Sequence, residues 1–337
     1  MKILYHLTVL PPQMPECEAL SQEIAALRAE FSGDLIYLNP NHRFRLHIPR
    51  LLFGFHKIRQ LRHWEAGIDL HHFYNPDAFA FPILRRLRRP VLYTVTSGVG
   101  ASPPNLDFFS SLAAVTVPDE RSLKRLQEWG LNNVYLVRAG IDTRRFSFTN
   151  TPLNSEIRLM VGSAPWTKAQ FVSKGIDALL EAASLNRRLH LIFLWRGVLT
   201  DEMRHRVRQL GLEDQVEVIN EQVDVNRILA QVHASVTLAE KPGIIKSYPH
   251  SLLDSLAAGK PVLVSRAIPM ADYVEEKMCG QVVETVTPVD ILSALSMLKQ
   301  NYQLLQSRAR QLGKQDFSQQ AMIGAYQKVY RRVLNQT

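Results

Sequence analysis

The residues between Lys246 and Ser265, KSYPHSLLDSLAAGKPVLVS, combine types that could bind a phosphorylated ligand. Residues 247–249 read as a loop and 251–258 as a short helix behind polar caps. Gly259 stops that helix, and 261–264 read as a buried parallel strand. A helix start at the ligand edge of such a sheet offers backbone N–H groups and the positive end of a dipole, so it can hold phosphate. Ser247, Tyr248, Pro249, His250 and Ser251 occupy that loop and first turn. Asp254 can accept hydrogen bonds from ribose hydroxyls, as acids do in other nucleotide folds. The competing reading is a packing helix with a solvated Asp254.

A second stretch, VGSAPWTKAQFVSKGIDALL from Val161 to Leu180, sets Lys174 before Gly175 at the start of an amphipathic helix. Departure of a nucleoside diphosphate builds negative charge on its β-phosphate, and fixed cations stabilise it. Lys174, with Lys168 or Arg196 as a second charge, fits that need; otherwise these are solvated surface charges. A third group, Thr96-Ser97-Gly98, follows a strand end, where ligands bind in open α/β sheets. Thr96 and Ser97 can donate hydrogen bonds, but neither replaces a general base. His71 and His72 are adjacent on a strand and so point to opposite faces. That excludes a paired metal site and leaves one of them to line the ligand side. No histidine or cysteine spacing fits zinc, and neither a G-x-S-x-G elbow nor a P-loop occurs.

These stretches resemble the retaining family 4 glycosyltransferases (glycosyl transferases group 1). Their donor signature reads roughly E-G-x-P-x-x-x-x-E-A-x-A-x-G-x-P-V, and Pro249, Asp254, Ala257, Gly259, Pro261 and Val262 fall at matching places. Asp254 replaces the second Glu and keeps a carboxylate. Lys246 replaces the first, reversing the charge at the position that in the family lies near the donor sugar. The segment RAGIDTRRF, from Arg138 to Phe146, resembles the N-G-V-D-x-x-x-F element that closes the first domain. Lys174 matches the family lysine that holds the donor diphosphate, and Ser163 stands where the accompanying Arg is common. The first domain departs further: Pro11-Pro12-Gln13-Met14-Pro15 replaces a Gly-rich loop, and Thr96-Ser97-Gly98 replaces a His.

The resemblance implies an α/β chain of two Rossmann-like domains facing a cleft (GT-B), and transfer from a nucleotide sugar with retention of configuration, with no cofactor and no obligatory metal. It implies donor binding by Ser163, Lys168, Lys174, Arg196, Lys246, residues 247–251 and Asp254, with Lys174 and Arg196 on the diphosphate and Thr96 and Ser97 on the acceptor side. The missing Gly-rich loop, the missing His and Lys246 keep a non-catalytic nucleotide-sugar-binding or scaffold member open.

The elements that must position these residues alternate as βαβ units should. Strands are expected at residues 2–9, 34–38, 70–73, 91–96, 114–117 and 134–137, then at 157–161, 190–194, 216–219, 234–238, 261–264 and 281–283. Helices are expected at 16–30, 50–64, 77–88 and 119–130, then at 175–186, 200–210, 224–232, 251–258, 288–301 and 317–334. The polar stretch SFTNTPLNS at 147–155 marks the boundary. It gives an acceptor-side domain over 1–148, a donor domain over 149–316 and a last helix over 317–337 that crosses back.

The formal net charge is +9, which favours acidic partners. From Arg43 to Pro90 ten Lys/Arg face three acids. Read as a helix, residues 50–64 carry Leu51, Phe55, Ile58, Leu61 and Trp64 near one face with basic residues around it. With the Arg85–Arg89 cluster this makes an anionic membrane surface an expected partner; a solvated basic helix is the alternative. No nucleic-acid module is recognisable. Two cysteines far apart point to a reducing compartment, and no apolar run is long enough to span a bilayer. The expected location is the cytoplasm, peripheral on the inner membrane face.

Overall fold

The computed structural model describes residues 1–12, 18–41, 47–195 and 198–335. The chain divides into two compact units, Met1–Gly140 with Gln319–Thr337, and Ile141–Ser318.

The first unit is built on β1 (Lys2–Leu7), β2 (Ser32–Tyr37), β3 (Leu70–Asn75), β4 (Val91–Val95), β5 (Ala114–Val117) and β6 (Val134–Leu136), in the order β2-β1-β3-β4-β5-β6. The second is built on β7 (Ile157–Val161), β8 (Leu189–Leu194), β9 (Val216–Ile219), β10 (Ala234–Thr237), β11 (Val262–Ser265) and β12 (Gly280–Val283), in the order β12-β11-β10-β7-β8-β9. Every pairing is parallel. Parallel strands covered on both faces need continuous apolar runs, and β3, β4 and β5 are buried throughout. Each of the twelve expected strands has its counterpart, displaced by at most two residues at an end.

In the first unit one sheet face packs Leu4, Phe73, Tyr93 and Val115 against Phe81, Phe108 and Leu126. The other packs Ile3, Tyr5, Leu7 and Leu92 against Leu20, Ile24 and Leu27 and against Met322, Tyr326, Val329, Tyr330 and Val333 of the last helix, Gln319–Asn335. The second unit encloses one core of Leu159, Leu191, Phe193, Val236, Leu179, Leu180 and Leu295.

The helices depart from expectation more than the strands do. Residues 50–64 are not one helix. Two 3-10 turns, Arg50–Leu52 and Phe55–Lys57, precede a short α-helix, Ile58–Trp64. The break is Gly54, left-handed at φ 84, whose N–H turns away to the Leu38 carbonyl. An interfacial helix over this stretch is also excluded by burial: Leu61 is in the core, and Phe55, Ile58 and Trp64 pack against it. Residues 77–88 form only the 3-10 turn Pro82–Arg86. The carbonyls that would begin a helix are taken by side chains, since Tyr93 donates to the carbonyls of Asp77 and Phe79, and Asn75 to that of Asp77. Besides the short helices Leu106–Ser110 and Ala169–Ser173, two longer helices were not expected, Met270–Lys277 and Tyr302–Gln315. The second buries a sparse stripe, Leu305, Ala309 and Gly313, too small and too polar in context to give a clear period. Among the described residues no helix is long and apolar enough to cross a membrane.

Candidate functional site

In the second unit the carboxyl ends of β7 and β10 meet the start of the helix His250–Ala257. A Cβ on Gly162, the residue after β7, would lie 2.5 Å from Ser251 Cβ, closer than two such carbons can approach. Glycine therefore lets the loop after β7 rest on the first turn of that helix. Thr237, the last residue of β10, places its Oγ1 3.4 Å from Ser251 Oγ. Pro249 is the N-cap residue of this helix; no side chain caps it and no acid lies in its first turn. Its positive end is left without a carboxylate, which favours an anion there.

Lys174 reaches the same loop. Its side chain is buried, with the residue 7% exposed, and Nζ donates to the Ala164 carbonyl at 2.8 Å. The short helix Ala169–Ser173 ends on Lys174, and Gly175 then turns left-handed at φ 66 to start Ile176–Leu185. A Cβ on Gly175 would stand 2.6 Å from Val286 Cγ1 and 2.9 Å from Leu238 Cβ, so only glycine lets the lysine sit this close to the end of β10. The loop beyond β10 is tied to the same junction, with Glu240 N donating to the Ser173 carbonyl at 3.0 Å.

Asp254 lies one turn beyond Ser251. The residue is partly buried, and its carboxylate accepts no hydrogen bond among the described residues. Burial pushes its pKa up to about 7, against the opposing pull of the Arg145 charge. Arg145 ends a 3-10 turn, Thr143–Arg145, capped by Asp142, which accepts from Arg144 N. Just beyond, Phe148 packs on Gly259, where a Cβ would be 2.6 Å from its ring. From behind, Gly313 admits the helix Tyr302–Gln315 so closely that a Cβ would lie 2.1 Å from the Leu256 backbone. The helix carrying Ser251 and Asp254 is thus gripped through glycines on two sides.

The structure brings together Lys174, Ser251 and the loop containing the partly buried Ser163, with Asp254 a turn further along the same helix. Other expected donor residues sit differently. Lys168 is exposed and paired with Glu202 at 3.0 Å, so the expected second cation is already neutralised. Arg196 lies outside the described residues. Lys246 and His250 are partly buried, and Ser247 and Pro249 are buried. Tyr248 is buried with its ring against Tyr273 and Phe317. Gly162, Thr237 and Arg145 were not singled out from the sequence. A glycine directly after a strand and a hydroxyl on the last residue of one were the available signals.

In the first unit, Thr96 and Ser97 follow β4, partly buried, their N–H groups on the carbonyls of Asn75 and Pro76 at 2.9 Å each. His71 and His72 point to opposite faces as expected, but both are wholly buried, so the expectation that one lines a ligand surface fails. His71 Nε2 is 3.1 Å from Glu65 Oε1 and its Nδ1 2.9 Å from His6 Nε2. Burial drives the Glu65 carboxyl up, but the Arg88 N–H, the His71 ring and the Arg89 N–H together hold it below its ordinary range. Burial lowers His71 despite Glu65, and lowers His6 strongly. An ionised Glu65 and two neutral rings require His71 to donate from Nε2 and accept at Nδ1 from His6. On the opposite face, His72 bonds Tyr330 Oη and Thr94 Oγ1, each at 2.7 Å. Among the described residues no group of three His, Cys, Asp or Glu side chains is placed to hold a metal ion.

Comparison with known proteins agrees with this layout. The family profile of glycosyl transferases group 1 matches residues 148–316, half of the chain. No curated protein matches the sequence. Among solved structures, the chain is similar to a glycosyltransferase from Rickettsia africae ESF-5, with 13% identity and TM-score 0.75 over 100% of this chain and 99% of that one. It is similar to a sucrose-phosphate synthase from Thermosynechococcus elongatus, with 14% identity and TM-score 0.73 over all of both chains. It is similar to HepE of Anabaena, determined in complex with UDP, with 13% identity and TM-score 0.72 over 98% of this chain and 100% of that one. Two Rossmann-like α/β units with parallel sheets, the GT-B class, are therefore the fold of this protein.

Proposed function

Because the chain belongs to the glycosyl transferases group 1 family, we propose that it moves a hexose from a nucleotide sugar to a glycan, lipid-linked or small-molecule acceptor, with retention of configuration and without an obligatory metal. The observation that carries this reading is the convergence of Lys174, the loop after β7 and the uncapped start of His250–Ala257. In this reading the diphosphate lies on that helix start. It is held by main-chain N–H groups of residues 247–251, by the Lys174 ammonium and by the hydroxyls of Ser163 and Ser251. As the sugar–phosphate bond breaks, the growing charge on the β-phosphate meets a cation and a dipole already in place, so little reorganisation is needed. Asp254 accepts from the ribose, Arg196 supplies the second cation, and Lys246 faces the donor sugar. Thr96 and Ser97 serve the acceptor side. The Anabaena structures with UDP and with UDP-glucose make a uridine donor the first to try. The two-cysteine composition supports a reducing compartment, the cytoplasm.

The test is turnover of a panel of UDP-, GDP- and ADP-sugars, with and without EDTA, and NMR assignment of the product's anomeric configuration. Transfer with retention, unaffected by EDTA, is expected. Nucleotide binding without turnover of any donor would support the non-catalytic binder instead, a reading that Lys246 in the place of the family's carboxylate favours.

A further inference from the structure

The first unit holds two adjacent leucines out in solvent. Leu51 is 54% exposed and Leu52 52%, in a 3-10 turn fixed on both sides. Before them, Arg50 is bonded to Asp77 through both guanidinium nitrogens and stacks 4.2 Å over the Phe79 ring. After them, Phe53 is buried and Gly54 donates to the Leu38 carbonyl. The flanking anchors are satisfied and the leucines are not, so the turn has no packing reason to carry them.

Against this turn packs the 3-10 turn Pro82–Arg86, which carries the exposed Arg85, its guanidinium 5.6 Å over the Phe108 ring, and the exposed Arg86. Arg59 and Arg62, also exposed, follow on the helix Ile58–Trp64. None of these four arginines forms an ion pair among the described residues. Of the three acids in this stretch, Glu65 is buried on His71, Asp69 accepts from the Lys2 N–H and Asp77 is taken by Arg50. Two packed turns, one with an exposed aliphatic pair and one with exposed arginines, thus share this part of the unit.

We propose that this surface docks on an anionic lipid bilayer. Leu51 and Leu52 enter the headgroup–acyl boundary while the guanidinium groups pair with lipid phosphates. Charge complementarity selects an anionic partner. The exposed aliphatic pair selects a bilayer over a nucleic acid, whose bases would call for aromatic platforms. The contact does not rest on an amphipathic helix, which the structure lacks here, nor on the glycosyl-transfer reading.

The experiment is co-sedimentation of the full chain with vesicles of phosphatidylcholine alone and of phosphatidylcholine with phosphatidylglycerol. Binding to the anionic vesicles only, weakened by salt, is expected. At about 1 kcal/mol per basic side chain, R85S/R86S should lower partitioning about 25-fold. Loss of two half-exposed leucines should lower it about ten-fold in L51S/L52S. All four side chains are exposed, and unchanged melting and nucleotide binding would verify that each variant is folded. No binding to either vesicle overturns the proposal, as does an L51S/L52S variant that binds anionic vesicles like the wild type. Two further results also overturn it: duplex DNA binding that depends on Arg85 and Arg86 but not on the leucines, or light scattering showing a dimer that L51S/L52S dissociates.

Discussion

The two units differ in where their polar groups gather. In the first, the histidines and threonines at the middle of the sheet are bonded to one another, although Tyr5 Oη, Tyr74 Oη and His6 Nδ1 are buried without a partner among the described residues. Glu65, His71 and His6 form one chain of hydrogen bonds, and Tyr330, His72, Thr94 and Thr116 another. In the second, the polar groups at the carboxyl edge are left short. The partly buried Asp254 accepts no hydrogen bond and Ser247 Oγ is buried without a partner among the described residues, and the start of His250–Ala257 has no capping side chain. Burying an unpaired polar group costs free energy. What sets the second unit apart is an uncapped helix start beside the buried Lys174, and there, on our proposal, a ligand's phosphate supplies the missing partners. The histidines of the first unit, conspicuous in sequence, are wholly buried, and the less conspicuous edge of the second unit is where we place the site.

The strongest way to break this contrast is Lys174→Ala. If the ammonium faces the departing diphosphate, transfer should fall about 10²–10³-fold in kcat, while urea unfolding shifts little. A variant that loses stability but retains turnover would make Lys174 a packing residue and erase the distinction between the units.

Asp254→Asn sharpens it. The native pKa of Asp254, about 7, lies above the ordinary 3.8, so between those values the folded state binds more protons than the unfolded one. The group's contribution is best below about pH 4, falls as pH rises toward 7, and leaves a buried charge as a standing cost above that. Removing the charge should raise stability at pH 8 by about 2–4 kcal/mol and leave it unchanged at pH 4, read as urea midpoints. UDP should respond in the opposite sense. A ribose hydroxyl donates best to the ionised carboxylate, so wild-type affinity, measured by calorimetry, should rise with pH through 7. In the variant it should be weaker, and this part of the pH dependence should be gone.

In the first unit, His72→Ala should cost about 3 kcal/mol, from two lost hydrogen bonds and the cavity left in a closed layer. Nucleotide affinity of the folded protein should not change. A large loss of affinity at constant stability would mean that the buried histidines belong to the site after all.

The sequence was most legible where one physical rule dominates. The strands are short runs of three to six residues, the central ones buried throughout, between turn formers, and a parallel sheet demands little else, so all twelve stood out. The helix carrying Asp254 and the Lys174–Gly175 junction were legible because glycine at a forced left-handed or close-packed position leaves a mark. Where tertiary contacts overruled periodicity, the sequence misled. Residues 50–64 have a helical stripe, but Gly54 turns the chain toward Leu38. Residues 77–88 could be helical until Asn75 and Tyr93 claim the Asp77 carbonyl. The pairing of Lys168 with Glu202 joins residues far apart in sequence and was invisible to local reading. Closure of His71 and His72 was hidden for the same reason: opposite faces can be read from a strand, but not what covers them.

The finest probe of the contrast is Tyr330→Phe, a single oxygen removed from the last helix. Tyr330 Oη sits 2.7 Å from His72 Nδ1, and its ring packs edge-on against Phe31 and parallel to Tyr326. Phenylalanine keeps those ring contacts. What is lost is one buried hydrogen bond, and His72 Nδ1 is left without its partner, a change of about 1–2 kcal/mol. The His72 ring stays neutral because burial, not the tyrosine, depresses its pKa, so the loss should be the same at pH 6 and pH 8. The helix should stay docked through Met322, Val329 and Val333. UDP affinity should be unaffected within the same preparation. A stability loss that instead grows on acidification would show that the hydroxyl is what keeps the ring uncharged, and the closed network of the first unit would then be a titrating one, like the edge of the second.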